Sequence, residues 1–160
     1  MSLIHGDHVD RTSFKGSWTL TIQRVPVSAN VSRDRHWGHR LAALKEWFYL
    51  VRAAEGFLEI SRPTGKRWVL IVRHGKSPLD RDNLWASVKP IVDVLRPPSH
   101  DEGVHKTGAK KGEFWSRDRM GHGLILEDDD AHLDLKVING PLGKGETPYT
   151  TIRISDSQEA

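Results

Sequence analysis

Two stretches of this chain concentrate carboxylates at spacings that chemistry can use. In "SPLDRDNL", Ser77 to Leu84, Asp80 and Asp82 lie two apart. In an extended segment, side chains at i and i+2 point the same way, so both carboxylates can face one point. In "LEDDDAHLDLK", Leu126 to Lys136, four acids from Glu127 to Asp130 stand in a row and Asp134 follows. Like charges this close repel unless solvent screens them or something cationic neutralises them. Each run has a plain structural reading. The first can cap a helix through Asp82 or Asn83, and the second can be a solvated acidic turn. Together they have a chemical reading: hard oxygen donors from separate segments that converge on Mg²⁺ or Mn²⁺, as a metal-assisted phosphodiesterase requires. An EF-hand does not fit, because Leu84 occupies the next alternate position and the required glycine and glutamate are missing.

Other chemistries are thinly supported. With no cysteine, the chain has no disulfide, thiolate zinc site or cysteine nucleophile. His36 and His39, three apart, lack a third and fourth ligand nearby, so phosphate contact or capping suits them better than zinc. No Ser/His/Asp arrangement and no phosphate-cradling glycine loop is present. A net charge of +3 permits a polyanionic partner without demanding one. The distribution of charge says more. Arg33, Arg35 and Arg40 cluster around the start of one helix, Lys76 and Arg81 lie before and within the aspartate pair, and Lys106, Lys110, Lys111, Arg117 and Arg119 gather further on. Basic surfaces around an acidic focus suit a protein that grips nucleic acid and holds a metal at its centre.

The elements that must position these residues follow from periodicity. "SWTLTIQRVP" alternates Trp18, Leu20 and Ile22 with polar residues, so it predicts a strand over Ser17–Pro26. Leu41, Leu44, Phe48 and Val51 form a helical stripe from Trp37 to Gly56. "KRWVLIVRHG" reads as a buried strand over Lys66–Gly75. Leu84, Val88, Ile91, Val92 and Leu95 predict a second helix over Leu84–Leu95, interrupted by Pro90. Residues 96–123 are rich in Gly, Pro and Lys and lack periodicity, so they read as a long basic loop. Leu124–Leu126, His132–Ile138 and Tyr149–Ser155 complete the strands. The expectation is a single mixed α/β or α+β domain over residues 1–160, with its core in about 17–155. A mixed sheet packs against two main helices, and the termini are mobile. No apolar run reaches the roughly 18–20 residues needed to span a bilayer. The N-terminus lacks the apolar core of a secretory signal, which makes the cytoplasm the expected compartment.

"DRDNLWASVKPIVDVL" followed by "GLILEDDDAHLDLKV" resembles the RusA-type Holliday junction resolvases, common in phage and prophage genomes. That family carries D-x-D-N-L, then K-x-x-x-D-x-L, a loop, and D-D-x-x-(I/V/L) in a strand. Asp80, Asp82, Asn83 and Leu84 match the first part, Lys89, Asp93 and Leu95 the second, and Asp129, Asp130 and Leu133 the third. The resemblance covers about residues 17–155. It departs from the pattern in two places. "WAS" moves the lysine three residues further from the D-N-L leucine, about 4.5 to 5 Å along a helix, so Arg81 or Lys76 could take its part. The stretch before the last acids is also much longer than the family's usual link.

The resemblance implies an Mg²⁺-dependent endonuclease, with Mn²⁺ a possible substitute, acting as a homodimer on four-way junctions or other branched DNA. It implies paired symmetric nicks that leave 5′-phosphate ends, in the cytoplasm of a bacterial or phage-infected cell. Asp80, Asp82 and Asp130 would be catalytic metal-binding acids, with Asp129 beside them and Lys89 neutralising charge on the phosphate. Phe114 and Trp115 in the long basic stretch are available to stack on exposed bases. Two rivals keep the same residues in view: a branched-DNA-binding protein of this fold without turnover, and an acidic-patch adaptor for basic protein partners.

Overall fold

In a computed structural model, which describes residues 16–28, 37–56 and 58–156, six strands and three helices follow one another as βαβααββββ. Arg33, Arg35, His36 and residues 1–15 and 157–160 of the expected mobile termini lie outside the described residues, whereas Asp156, expected in the mobile tail, is held by Arg67 and the Gly16 carbonyl. Strand β1 is Ser17–Ile22, whose Leu20 and Ile22 are buried while Thr19 and Thr21 face out. It ends four residues before Pro26, where Arg24 N–H turns back on the Ile22 carbonyl at 2.7 Å. Helix α1 is Trp37–Glu55. Its buried stripe runs Leu44, Trp47, Phe48, Val51 and Ala54, one turn later than the sequence suggests, and Leu41 is 41% exposed. The helix closes at Gly56, whose φ of +46° is the left-handed conformation glycine adopts most readily.

Strand β2, Arg67–His74, lies between two neighbours in a four-stranded sheet of order β1-β6-β2-β5. Strands β5 (Leu133–Asn139) and β6 (Tyr149–Ser155) complete it. β5 runs parallel to β2, whereas β6 is antiparallel to both β1 and β2. The sheet is therefore mixed, and the fold is α+β. One face carries Leu20, Ile22, Val69, Ile71, Ile152, Ile154, Leu133 and Val137, and these join the helices in one hydrophobic core.

The second expected helix is two short ones, α2 (Arg81–Ser87) and α3 (Lys89–Leu95), separated at Val88. Pro90 explains the break. It has no N–H to continue the hydrogen-bond ladder, but it is tolerated in the first turn of a new helix, where that N–H has no partner anyway. All five apolar residues predicted for its inner face are buried.

Two expectations are corrected between Arg96 and Leu126. The segment read as an aperiodic loop contains an antiparallel ribbon, β3 (Ser99–Val104) paired with β4 (Phe114–Arg119), separate from the main sheet. "SHDEGV" and "FWSRDR" carry no apolar alternation because the ribbon has no strongly buried face to select one. Leu124–Leu126, read as strand, is irregular. Leu124 and Ile125 are buried, yet their N–H groups bond to the Leu95 carbonyl at the end of α3 instead of to a strand.

Arg67 is the largest fully buried side chain. Its guanidinium donates to Asp156 Oδ1, the Leu124 carbonyl and the Ser61 carbonyl, each at 2.7 Å, and lies 4.9 Å from the Trp18 ring centre. One cation thus fastens β2 to three irregular segments, through two backbone carbonyls and one carboxylate. No helix of the described residues is long and apolar enough to cross a membrane.

Candidate functional site

A cleft of about 450 Å³ opens between the helices α2 and α3 and the start of β5. Lys89, the first residue of α3, points into it. Its Nζ lies 3.0 Å from Asp93 Oδ1 one turn along the helix and 2.5 Å from Asp128 Oδ2 in the acidic run. Arg96, just past α3, reaches Glu127 at 2.6 Å and Asp128 at 3.7 Å. The acidic run is accordingly not a bare negative patch. Two of its members are met by cations at the two ends of the preceding helix, 31 and 39 residues back in the chain.

The other acids of the run do different work. Asp129 Oδ1 accepts from the backbone N–H groups of Ala131 and His132 and lies 2.7 Å from His132 Nδ1, so it organises the turn that leads into β5. The His132 ring and those N–H groups hold its pKa below the usual aspartate value. Asp130 lends its backbone carbonyl to Lys66 Nζ at 2.8 Å, and its carboxylate has no partner among the described residues. The run therefore precedes the strand as a turn and is not part of it.

Burial lowers the pKa of Lys89, but the hydrogen bonds to Asp128 and Asp93 outweigh it, and the net shift is upward from 10.5. Asp128 is held below 3.8, first by its bond to Lys89, with burial opposing and Glu127 and Arg96 assisting. The signs fix a pH window. The lysine's contribution to stability is complete below the unfolded lysine value and is lost as pH rises through its higher folded value. The aspartate's is complete above the unfolded carboxylate value and is lost as pH falls through its lower folded value. Melting temperature plotted against pH should show this network's contribution level between about pH 5 and 10 and declining beyond both ends. Asp128→Asn should remove the acid-side decline and soften the alkaline one.

Asp80 and Asp82 lie elsewhere. Leu79 exchanges two hydrogen bonds with the Asn139 side chain, its N–H donating at 3.2 Å and its carbonyl accepting at 2.8 Å, which pins the start of α2 to the far end of β5. Asp80 is the N-cap of α2. Its Oδ1 accepts from Asn83 N–H at 2.9 Å and its Oδ2 from Asn83 Nδ2 at 2.5 Å, bonds that lower its pKa. The cap is thus the first aspartate of the pair, not Asp82 or Asn83, while Asp82 is exposed in the first turn. Asn caps a helix about as well as Asp. Asp80→Asn, which keeps the capping oxygen but loses the second acceptor, should therefore lower the melting temperature less than Asp80→Ala, which should lower it by about 2–4 °C.

The two acid clusters thus sit near opposite ends of one seven-residue strand, itself roughly 20 Å long at 3.3 Å per residue. That is far beyond the roughly 2.0–2.6 Å bonds of Mg²⁺ or Ca²⁺, so within one chain these residues do not fit a shared divalent cation. Among the described residues, no group of three or more His, Asp or Glu is gathered for a metal. The expected convergence of Asp80, Asp82 and Asp130 in a single chain is corrected on this point. Comparison with known proteins finds no match: no family model, no curated protein and no solved structure.

The expected DNA contacts are spread over three places. Arg40 is exposed on α1, and Lys76 and Arg81 flank Asp80. Lys106, Lys110 and Lys111 stand at the tip of the β3–β4 ribbon, with Arg117 and Arg119 on its stem. Arg119 is occupied by Asp101 at 2.8 Å. His39 is exposed on α1 and joins no metal-like cluster among the described residues. Sequence reasoning missed Asp128, Arg96 and Lys66. Three tandem aspartates carry no mark of which one a lysine will choose. Arg96, however, stands seven residues after Lys89, two helical turns on, and that spacing could have paired it with the acids.

Proposed function

We propose that this protein is a divalent-cation-dependent, structure-selective endonuclease of the RusA type that nicks four-way junctions and other branched DNA as a homodimer. One observation carries the reading. Lys89 links Asp93 of "KPIVDVL" to Asp128, the neighbour of Asp129 and Asp130 in "LEDDDAHL", so the second and third parts of the motif line one cleft.

The free edge of the main sheet supports the dimer. β5 is an edge strand, and a two-fold axis across its middle exchanges its ends. Asp129 and Asp130 of each copy then approach Asp80 and Asp82 of the other, twice. With the axis at Leu135, Asp134 of one copy faces Lys136 of the second, an opposite-charge pair on each side of the axis. Mg²⁺ or Mn²⁺ held between the copies would supply an activated water and stabilise the leaving oxygen. The chain's own contributions are separate from that chemistry. Lys89 offers positive charge beside the acids, and exposed lysines and arginines bind phosphate, so affinity falls steeply with salt. Two sites related by the same symmetry as a junction's strands account for paired nicks, and the cytoplasm is the compartment where such DNA is met.

A labelled synthetic four-way junction incubated with and without Mg²⁺ tests the proposal. Paired nicks that require the cation support it. Binding without nicks supports the non-catalytic DNA-binding reading, which the single-chain separation of the acids favours. No binding at all supports an adaptor.

A further inference from the structure

The β3–β4 ribbon poses a problem of stability that points to a partner. An isolated two-stranded ribbon is marginal in water at best. This one packs little against the main sheet or the helices, and every residue of β4 but Arg119 is exposed. Its two faces differ. On one, Trp115 lies over Gly103, so close that a Cβ there would stand 3.0 Å from the indole. The tryptophan is thus used by the ribbon itself. On the other face Val104 and Phe114 are direct cross-strand partners, 52% and 64% exposed, with nothing over them.

Charge is divided as well. On the stem, Arg119 pairs with Asp101 at 2.8 Å and His100 with Asp118 at 2.6 Å. The tip is a closed turn, with His105 N–H bonded to Glu113 O at 2.9 Å and Gly112 N–H to His105 O at 2.8 Å. Gly108 and Gly112 take the positive φ values that the turn requires. Lys106, Lys110 and Lys111 project from it with no ion-pair partner among the described residues. A flat apolar ring beside three unpaired cations complements a polyanion that offers flat apolar faces.

We propose that the ribbon is a clamp for unpaired DNA. Phe114 stacks on an exposed base beside Val104, the three tip lysines take flanking phosphates, and Trp115 holds the ribbon's shape. This rests on the DNA-binding reading above but not on cleavage.

The test is binding of the full chain to a fluorescent oligothymidylate in EDTA, beside a duplex of equal length and a hexaglutamate competitor. Phe114 is exposed, so Phe114→Ala leaves the fold intact. It should weaken oligothymidylate binding about tenfold or more, with Phe114→Tyr restoring it. Replacing the three lysines by alanine should reduce the salt slope by about 2. Equal affinity of Phe114→Ala and the native protein, equal binding of duplex, or full competition by hexaglutamate would each overturn the clamp. Phe114-dependent binding without any junction nicking leaves the clamp standing and removes the nuclease. Cation-dependent nicking with Phe114→Ala binding unchanged does the reverse.

Discussion

Arg67→Met will lower stability by about 2–4 kcal/mol. Met fills much the same space and removes a buried cation, which on its own could be neutral or favourable. The loss comes from what the cation leaves behind. The carbonyls of Ser61 and Leu124 each accept one of its N–H bonds at 2.7 Å. A buried acceptor stripped of its donor costs about 1–3 kcal/mol, the full cost for the buried Leu124 carbonyl and less for that of the exposed Ser61. The ring of Trp18 loses its cation too. Asp156, about half exposed, returns to water at little cost. In a chain of this size the deficit should appear as a fall in melting temperature of about 5 °C or more. Arg67→Lys, which keeps the charge but can reach only one of these acceptors, should fall between. A native-like melting curve for Arg67→Met would show that the carbonyls find other donors.

The second large effect concerns activity. Asp82→Asn and Asp130→Asn should each abolish junction nicking, by at least about 100-fold, the scale on which aimed charge contributes to such reactions. Junction binding should persist or tighten, because each change removes negative charge near phosphate; affinity that fell with activity would count against this. The two inactive proteins, refolded together, should recover activity. If each site takes Asp82 from one copy and Asp130 from the other, a mixed dimer contains one site with both defects and one with none. Random pairing makes half the dimers mixed, so nicking should return to about a quarter of the native level. Paired nicks should not return, since one competent site per dimer cuts one strand. Mixtures that stay inactive, while native protein treated alike recovers, would sink the shared site.

What the sequence disclosed follows from which faces are buried. β1, β2 and β6 each have a buried side, so their periodicity is written in Leu20, Ile71, Ile152 and their neighbours. α1 was legible for the same reason, though Leu41 shows that a stripe can begin a turn late. The ribbon was not legible, because strands exposed on both faces need no alternation. Arg67 was hidden inside "KRWVLIVRHG", where a cation beside an apolar run reads as a flank. The site was legible in kind and not in arrangement. Asp80, Asp82, Lys89 and the aspartate run stand out as residue types, but a turn, a cap and an ion pair each claim one carboxylate locally. Spacing alone cannot say that two of these clusters lie at opposite ends of one strand.

The position of β6 has a consequence for how the molecule is made. The last strand of the described chain inserts between the first and second, so the sheet joins β1 to β2 only through it. Emerging from a ribosome, the first hundred and forty residues hold an open gap where the centre of the sheet belongs. Contacts this remote in sequence form slowly, because the whole intervening chain must first be drawn together. A messenger that stops short of Tyr149 would yield a nascent chain with two raw strand edges, which is a substrate for chaperones and proteases and not a smaller version of the protein.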